Sequence, residues 1–303
     1  LYAPLFRMMK KSPDISILVS NWNSADIIGE ALESIVATAN DVNFDVTIID
    51  DASSDGGYTH IDKKFKNDPR FHFVQNEVNI GQAATINMML ERTKAKYIVT
   101  LDTDARLMPG ALQALYAFME THPEAAVATA NLRNPDGSAQ FYYRRVLTPS
   151  MYFFSTPPGR FFDKYFLGLR NYKWYHCDDL DETGVADFVQ PPIACLILRR
   201  EALGAYILDP VFPFYMCDVD LSKRMIDRGY KVYFVPEAKA VHLKTASVIK
   251  RGQAWIDKEL NRSYARYFKK HYPFLYPLMI VVMHLDRVTR AILLRTIGRE
   301  PMR

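Results

Sequence analysis

Tyr97-Ile98-Val99-Thr100-Leu101-Asp102-Thr103-Asp104-Ala105 decides the reading of this chain, because an apolar run of strand length opens directly into two carboxylates one residue apart. In a β-conformation residues two apart share a side, so Asp102 and Asp104 can jointly face a hard cation or a ribose hydroxyl. Alone, the pair also fits a solvated strand end or turn; its weight comes from its surroundings. A second acidic strand end lies upstream, where Asp45-Val46-Thr47-Ile48-Ile49 runs into Asp50-Asp51-Ala52-Ser53-Ser54-Asp55-Gly56-Gly57. Ligands of open α/β sheets bind beyond the carboxyl ends of the strands, so both loops are expected to line one crevice. A Ser/Asp/Gly turn that starts the next helix is the bland alternative for the second loop.

Outward from these loops the chain alternates. Ile15-Ser16-Ile17-Leu18-Val19-Ser20 reads as a strand, and Asn21-Trp22-Asn23-Ser24 offers capping side chains to a helix whose apolar face is Ile27, Ile28, Ala31, Leu32, Ile35 and Val36. Helices are expected near 58–66, over 82–93, from Pro109 and from Asp218 to Arg228. Strands are expected at Phe71–Val74, Ala125–Ala130, Ile193–Leu198 and Lys231–Val235. Such alternation implies an α/β fold with a mostly parallel central sheet and helices on both faces. Residues 134–183 break the period; rich in aromatics, Pro and Arg, they read as an insertion over the cleft, with Phe141-Tyr142-Tyr143-Arg144-Arg145 either meeting a substrate or packing as a lid.

With 303 residues, 49% of them apolar, the chain can bury a large core. The net charge of +4 is modest and basic residues are scattered, which gives no case for nucleic acid. Cys177, Cys195 and Cys217 are odd in number and form no C-x-x-C pair, so neither a disulfide framework nor structural zinc is expected, and a reducing cytoplasm fits best. Leu1 to Lys11 lacks the apolar core and cleavage site of a secretory signal. No G-x-G-x-x-G opens the first helix and no G-x-x-x-x-G-K-[ST] is present. A dinucleotide oxidoreductase and a P-loop ATPase both lose ground to a nucleotide handled by carboxylates and a metal.

Six segments, in order, carry a resemblance to a known family: Ser16–Asn23, Ile49–Gly56, Asn79–Asn87, Leu101–Asp104, Asp218–Arg224 and Pro236–His242. Together they resemble the inverting nucleotide-sugar transferases of glycosyltransferase family 2, with the GT-A fold, and look rhamnosyltransferase-like. The resemblance implies an N-terminal extension over 1–12 and a catalytic domain over 13–247, made of a nucleotide-binding half, 13–132, and an acceptor-side half, 133–247. A helical, basic C-terminal segment, 248–303, follows.

The same resemblance implies a nucleotide-sugar site at Ser20, Asn21, Asn23, Asp50, Asp51, Ser53, Asn79, Gly81, Asn87, Asp102 and Thr103, with Asp50 accepting from a pyrimidine imide. Asp104, with Asp102 and His242, would hold Mg2+ or Mn2+; hard divalent cations favour oxygen ligands. Asp218 would be the general base. The implied reaction moves a sugar from dTDP-rhamnose or a UDP-hexose to a saccharide or lipid-linked acceptor in cell-surface polysaccharide assembly. A sugar nucleotidyltransferase and a non-catalytic saccharide-binding assembly subunit are the rival readings. Two departures bear on the acceptor side: Cys217 stands where the family usually has Glu, and Gln190-Pro191-Pro192-Ile193-Ala194 lacks the usual Gly-Ala step.

Beyond His242 the sequence turns helical and basic, with Lys244, Lys250, Arg251, Lys258, Arg262, Arg266, Lys269 and Lys270 among aromatic residues. The apolar run Leu275–Leu285 is interrupted by Pro277 and His284 and falls short of the roughly 20 residues that span a bilayer. Arg287, Arg290, Arg295 and Arg299 then alternate with apolar residues. This pattern fits a helix at the inner face of the cell membrane and equally a helix packed on the domain or on a second subunit, so oligomer formation is left open.

Overall fold

Period-two alternation in the strands sorts the apolar residues into two cores, one on each face of a central sheet. The computed structural model describes residues 12–38, 42–140, 142–187, 189–243 and 252–297; all but Ser12 of the expected extension over 1–12, with Phe141, Lys244, Lys250, Arg251 and Arg299, lie outside them. In β1 (Ile15–Asn21), Ile15, Ile17 and Val19 enter the first core while Leu18 enters the second. In β4 (Tyr97–Leu101), Tyr97, Val99 and Leu101 face the first and Ile98 the second. A strand buried on both faces needs such an unbroken apolar run.

The remaining elements of the first half are α1 (Ile28–Thr38), β2 (Phe44–Asp50), α2 (Gly57–Phe65), β3 (Phe71–Gln75), α3 (Gln82–Arg92), β5 (Ala105–Leu107), α4 (Ala111–Thr121) and β6 (Ala125–Arg133). The second half adds β7 (Arg144–Arg145), α5 (Pro149–Ser155), α6 (Pro157–Phe162), α7 (Asn171–Tyr175), β8 (Ala186–Asp187), β9 (Val189–Gln190), β10 (Cys195–Arg199), α8 (Arg200–Leu203), α9 (Cys217–Asp227) and β11 (Lys231–His242). The tail is α10 (Gln253–His271) and α11 (Tyr276–Ile297).

The sheet order is β3-β2-β1-β4-β10-β6-β11-β5, with β8 also paired to β11. β3, β2, β1 and β4 are parallel, as are β6 and β11; β10 runs antiparallel between β4 and β6. Helices α1, α2 and α4 supply the first core, and α3, α9, α10 and α11 the second. Chain order reverses at β1, between β2 and β4, and the carboxyl ends of these strands open there.

Local departures from the sequence reading have physical causes. α1 begins at Ile28, and its approach is held by Ala25 N–H on Asp55 Oδ2 and Ile28 N–H on Ser24 O rather than by a side-chain cap from 21–24. α4 begins after Gly110, whose φ of 80° is left-handed, so Pro109 lies in the preceding turn. Pro277 sits in the first turn of α11, where its missing N–H costs no helical bond, and the helix runs 22 residues through His284. No helix among the described residues is long and apolar enough to cross a membrane. α10 is anchored rather than loose: Tyr267 and Phe268 are fully buried in the second core.

The insertion is partly helical. Tyr143 is a core residue whose hydroxyl donates to Ala130 O and accepts from Leu132 N–H, and Arg145 pairs with Asp179. Tyr142 remains exposed.

Candidate active site

At the carboxyl ends of β1 and β2 the acidic loop is wired into the sheet. Asp50 is fully buried; Asn21 Nδ2 donates to its Oδ2 at 2.6 Å and Ser53 N–H to its Oδ1 at 3.0 Å. Asp51 accepts from Asn76 Nδ2, Ile80 N–H and Gly81 N–H at 2.8–2.9 Å, and Asn79 Nδ2 donates to Asp51 O. Asp51 thus spends its carboxylate on shaping the 76–81 loop, where Gly81, at φ 87°, makes the turn into α3. Asn23, itself left-handed at φ 51°, ties its loop to Ser54 through Oδ1, while its N–H reaches Ser53 Oγ. Thr103 Oγ1 donates to Ser24 Oγ, which closes this rim against the next loop. Ser20 lies next to it on β1, opposite Ile49. Asn87 faces elsewhere: its Oδ1 accepts from Ile207 and Leu208 N–H, and its Nδ2 donates to Leu208 O. Its amide bridges α3 to the 207–208 loop.

Asp102 and Asp104 come together, though not by the route expected. β4 stops at Leu101, and Ala105 N–H closes on Asp102 O at 3.0 Å, so a tight turn rather than an extended strand brings the two carboxylates around. Beyond the turn the chain enters β5, which pairs antiparallel with the end of β11 so that His242 lies opposite Ala105. One ligand atom from each of Asp102, Asp104 and His242 lies within 4.8 Å of the others. His242 Nε2 is 3.3 Å from Asp104 Oδ1. Gln140 Nε2 donates to His242 O and Arg133 O, which turns Gln140 Oε1 toward His242 Nδ1 at 3.1 Å. With its Nδ1 engaged by Gln140, His242 presents Nε2 to Asp104, and Nε2 is the atom that would ligate a cation once deprotonated. Two acceptors so placed suit a cation, and a histidine oriented through its other nitrogen is the usual arrangement at metal sites.

Asp218 stands at the start of α9, after Met216, which takes a left-handed φ of 69°. Its Oδ1 accepts from Val219 N–H at 2.9 Å. Burial pushes its carboxyl up to about 6, against the pull of the backbone N–H groups at the helix start. Asp102 is likewise raised to about 6, by burial first and by Asp104 next, with His242 and Gln82 opposing and Asp218 adding a little. That last effect places Asp218 within electrostatic reach of the Asp102–Asp104–His242 group. Cys217 is buried, and burial drives its thiol up, so it stays neutral where the family has an acid.

One layer behind Asp218, Asp220 is fully buried between Arg224 (2.7 Å), Lys270 (2.5 Å) and His271 (2.8 Å). Burial opposes its ionisation, but these three donors overcome that and hold its pKa below the usual carboxylate range. α10 is thereby clamped to the helix that carries Asp218.

Two residues of the site escaped the sequence reading as functional groups. Gln82 Nε2 donates to Asp102 Oδ1 at 3.0 Å. Gln140 orients His242 from 102 positions away, out of an aperiodic stretch that offers no local signal.

A mixed sheet of this order, with carboxylates and a histidine gathered at its switch point, defines a GT-A type architecture. The chain belongs to glycosyltransferase family 2, whose model matches residues 16–184. A chondroitin synthase of Pasteurella multocida (strain Pm70) is 33% identical over 128 residues, covering 42% of this chain and 13% of that protein. A hyaluronan synthase of Pasteurella multocida is 32% identical over 132 residues, covering 43% and 13%. The chain spans less than half the length of the curated relatives it matches. Among solved structures, the mannosyltransferase PcManGT from Pyrobaculum calidifontis, in complex with GDP-Man and Mn2+, aligns over 97% of this chain and 77% of its own, with TM-score 0.59 at 16% identity. GalNAc-T7 with UDP, GalNAc and Mn2+ aligns over 86% and 48%, with TM-score 0.60 at 15% identity. At such identities the likeness is one of fold.

Proposed function

We propose that the protein is a metal-dependent, inverting glycosyltransferase that moves a sugar from a nucleotide-sugar donor to a saccharide acceptor, carried on a lipid, in cell-surface polysaccharide assembly. One observation carries the reading: Asp102, Asp104 and His242 converge at the end of β4 with Asp218 in electrostatic reach. The donor set, two carboxylates and an imidazole that presents Nε2 to them, suits Mn2+ or Mg2+. Bound there, the cation would neutralise the charge that a departing nucleoside diphosphate gains.

The chain's own groups divide the rest. The Asp50 oxygens already accept from Asn21 Nδ2 and Ser53 N–H, so the imide N–H of uracil or thymine expected at Asp50 passes to Asn21 Oδ1 beside it, which is buried and has no hydrogen-bond partner. Asn23, Ser53, Asn79 and Gly81 shape the rim, and Gln82 fixes Asp102. Asp218 takes the proton of the acceptor hydroxyl as that oxygen bonds to the anomeric carbon. The bond from that carbon to the diphosphate oxygen breaks in the same displacement, which inverts the centre. A carboxyl raised to about 6 is a stronger base than an ordinary aspartate and still ionised at neutral pH. The donor is dTDP-rhamnose or a UDP-hexose. The mannosyltransferase and GalNAc-T7 structures hold nucleotide ligands and Mn2+ on a similar fold, which supports the metal and donor class. The two synthase relatives support polysaccharide assembly.

The test is a screen of nucleoside diphosphate sugars for thermal stabilisation with and without Mn2+, followed by transfer assays with the donor that responds. Metal-dependent stabilisation by a pyrimidine donor is expected. Stabilisation only by a nucleoside triphosphate, with pyrophosphate release, would move the protein to nucleotidyl transfer.

A further inference from the structure

Exposed apolar residues gather on the segment that follows α5 and on α11. α6 continues through a π-helical turn (Asp163–Leu167), and there Phe161, Phe162, Tyr165, Phe166, Leu167 and Leu169 are 41–69% exposed. The rings lean on one another, Phe161 on Tyr165 and Phe162 on Phe166, rather than on a core. α6 packs against α11, and along one side of α11 Leu278, Val281, Leu285, Val288 and Ile292 are 41–59% exposed. A soluble protein seldom leaves so much contiguous apolar surface without a use.

Charge identifies what covers it. Across 157–176 and 272–297 only Asp163 and Asp286 are acidic. Both are turned inward: Asp163 accepts from Leu169 and Asn171 N–H, and Asp286 accepts from Arg290 Nε and from the Tyr152 hydroxyl. Arg160, Lys164, Arg170, Lys173 and Arg287 are exposed around the apolar residues. A surface of aromatic and aliphatic side chains interleaved with cations, from which both acids have been withdrawn, is complementary to an anionic bilayer. Rings enter the headgroup boundary while cations meet lipid phosphates. A face that binds a second copy of the same chain would place these cations against one another.

We propose that the α6–π-turn segment and α11 form an in-plane docking surface for an anionic lipid bilayer. Tyr175, at the end of α7, belongs to the second core, as do Cys217 and Val219 of α9, so the segment is anchored to the half of the molecule that carries Asp218. This deepens the reading of a lipid-borne acceptor, and its test measures binding alone, so it can fail while the transferase reading stands.

The full chain would be sedimented with phosphatidylcholine vesicles with or without phosphatidylglycerol, at low and high salt. Binding to the anionic vesicles only, weakened by salt, is expected. Phe161→Ser/Phe166→Ser and Lys164→Gln/Lys173→Gln should each lower it by about tenfold or more, with the melting temperature and transfer to a water-soluble acceptor unchanged. Equal binding by wild type and both variants, or no binding to either vesicle, would overturn the proposal. So would a dimer in light scattering that dissociates on Phe161→Ser/Phe166→Ser.

Discussion

The two rims of the crevice use carboxylates in opposite ways. On the donor side Asp50 and Asp51 are nearly inaccessible and their oxygens are saturated by Asn21, Ser53, Asn76, Ile80 and Gly81. On the proposed acceptor side Asp218 accepts only from backbone N–H groups at the start of α9 and is burdened by burial. A carboxylate whose oxygens are taken up by such donors organises a loop. One that burial has left with a raised proton affinity is suited to take a proton. Architecture on one side and reactivity on the other is what a site needs when the donor must be held still and the acceptor activated.

The sharpest way to break this contrast is Asp218→Asn. Loss of the base should lower turnover by roughly 10²–10⁴, measured by transfer kinetics, with metal-dependent donor binding intact by calorimetry. Near-normal turnover would remove Asp218 from the mechanism. Because the base must be ionised, kcat/KM of the wild type should climb about tenfold per pH unit below about 6 and level off above it.

The same residue predicts an opposite stability effect. Its folded pKa lies above the ordinary aspartate value, so the fold prefers the proton, and stability is lost as pH rises through about 4 to 6. Asp218→Asn should therefore melt higher than wild type at pH 7 in metal-free buffer, by at most about 3 kcal/mol in unfolding free energy, and match it near pH 3.5. A lower melting point at pH 7 would show the carboxylate to be structural after all.

Smaller effects sharpen the other side. Gln140→Leu frees His242 to turn and should weaken Mn2+ binding by about 10–100-fold, read by metal titration of donor-dependent stabilisation. An unchanged metal affinity would make Gln140 a loop tether only. Asp51→Ala leaves the Asn76, Ile80 and Gly81 donors unanswered and should cost about 1–3 kcal/mol in urea unfolding. Neutrality there would contradict its assignment as the organiser of the 76–81 loop.

The fold was legible because β1, β2 and β4 are buried on both faces, which writes continuous apolar runs into the sequence, and because the helices between them keep a 3.6 period. β10 read as a strand, but its antiparallel run between β4 and β6 did not, since hydrophobic pattern carries no direction. At the site, the groups at strand ends were visible as Asp-x-Asp and Asp-Asp steps. The turn that gathers Asp102 and Asp104 was not, because nothing in Leu101-Asp102-Thr103-Asp104 distinguishes a continuing strand from a tight bend. The partners of Asn87 were hidden for a related reason: an amide inside a recognisable segment says nothing of which backbone it will meet 120 positions later. Gln140 and Lys270 act through tertiary partners alone and left no periodic trace.

β11 holds one more lesson. Its pairing with β6 slips between Val235 and Lys239, and past that irregularity the strand carries His242 to the far edge of the sheet beside Asp104. Pro236, Glu237 and Ala238 stand between the residues that pair with Ala130 and Asn131 of β6, three positions with no counterpart across the ladder. The slack they supply sets how far along the sheet the strand reaches before it meets β5, and so ties the nitrogen of the cluster to a detour in the backbone.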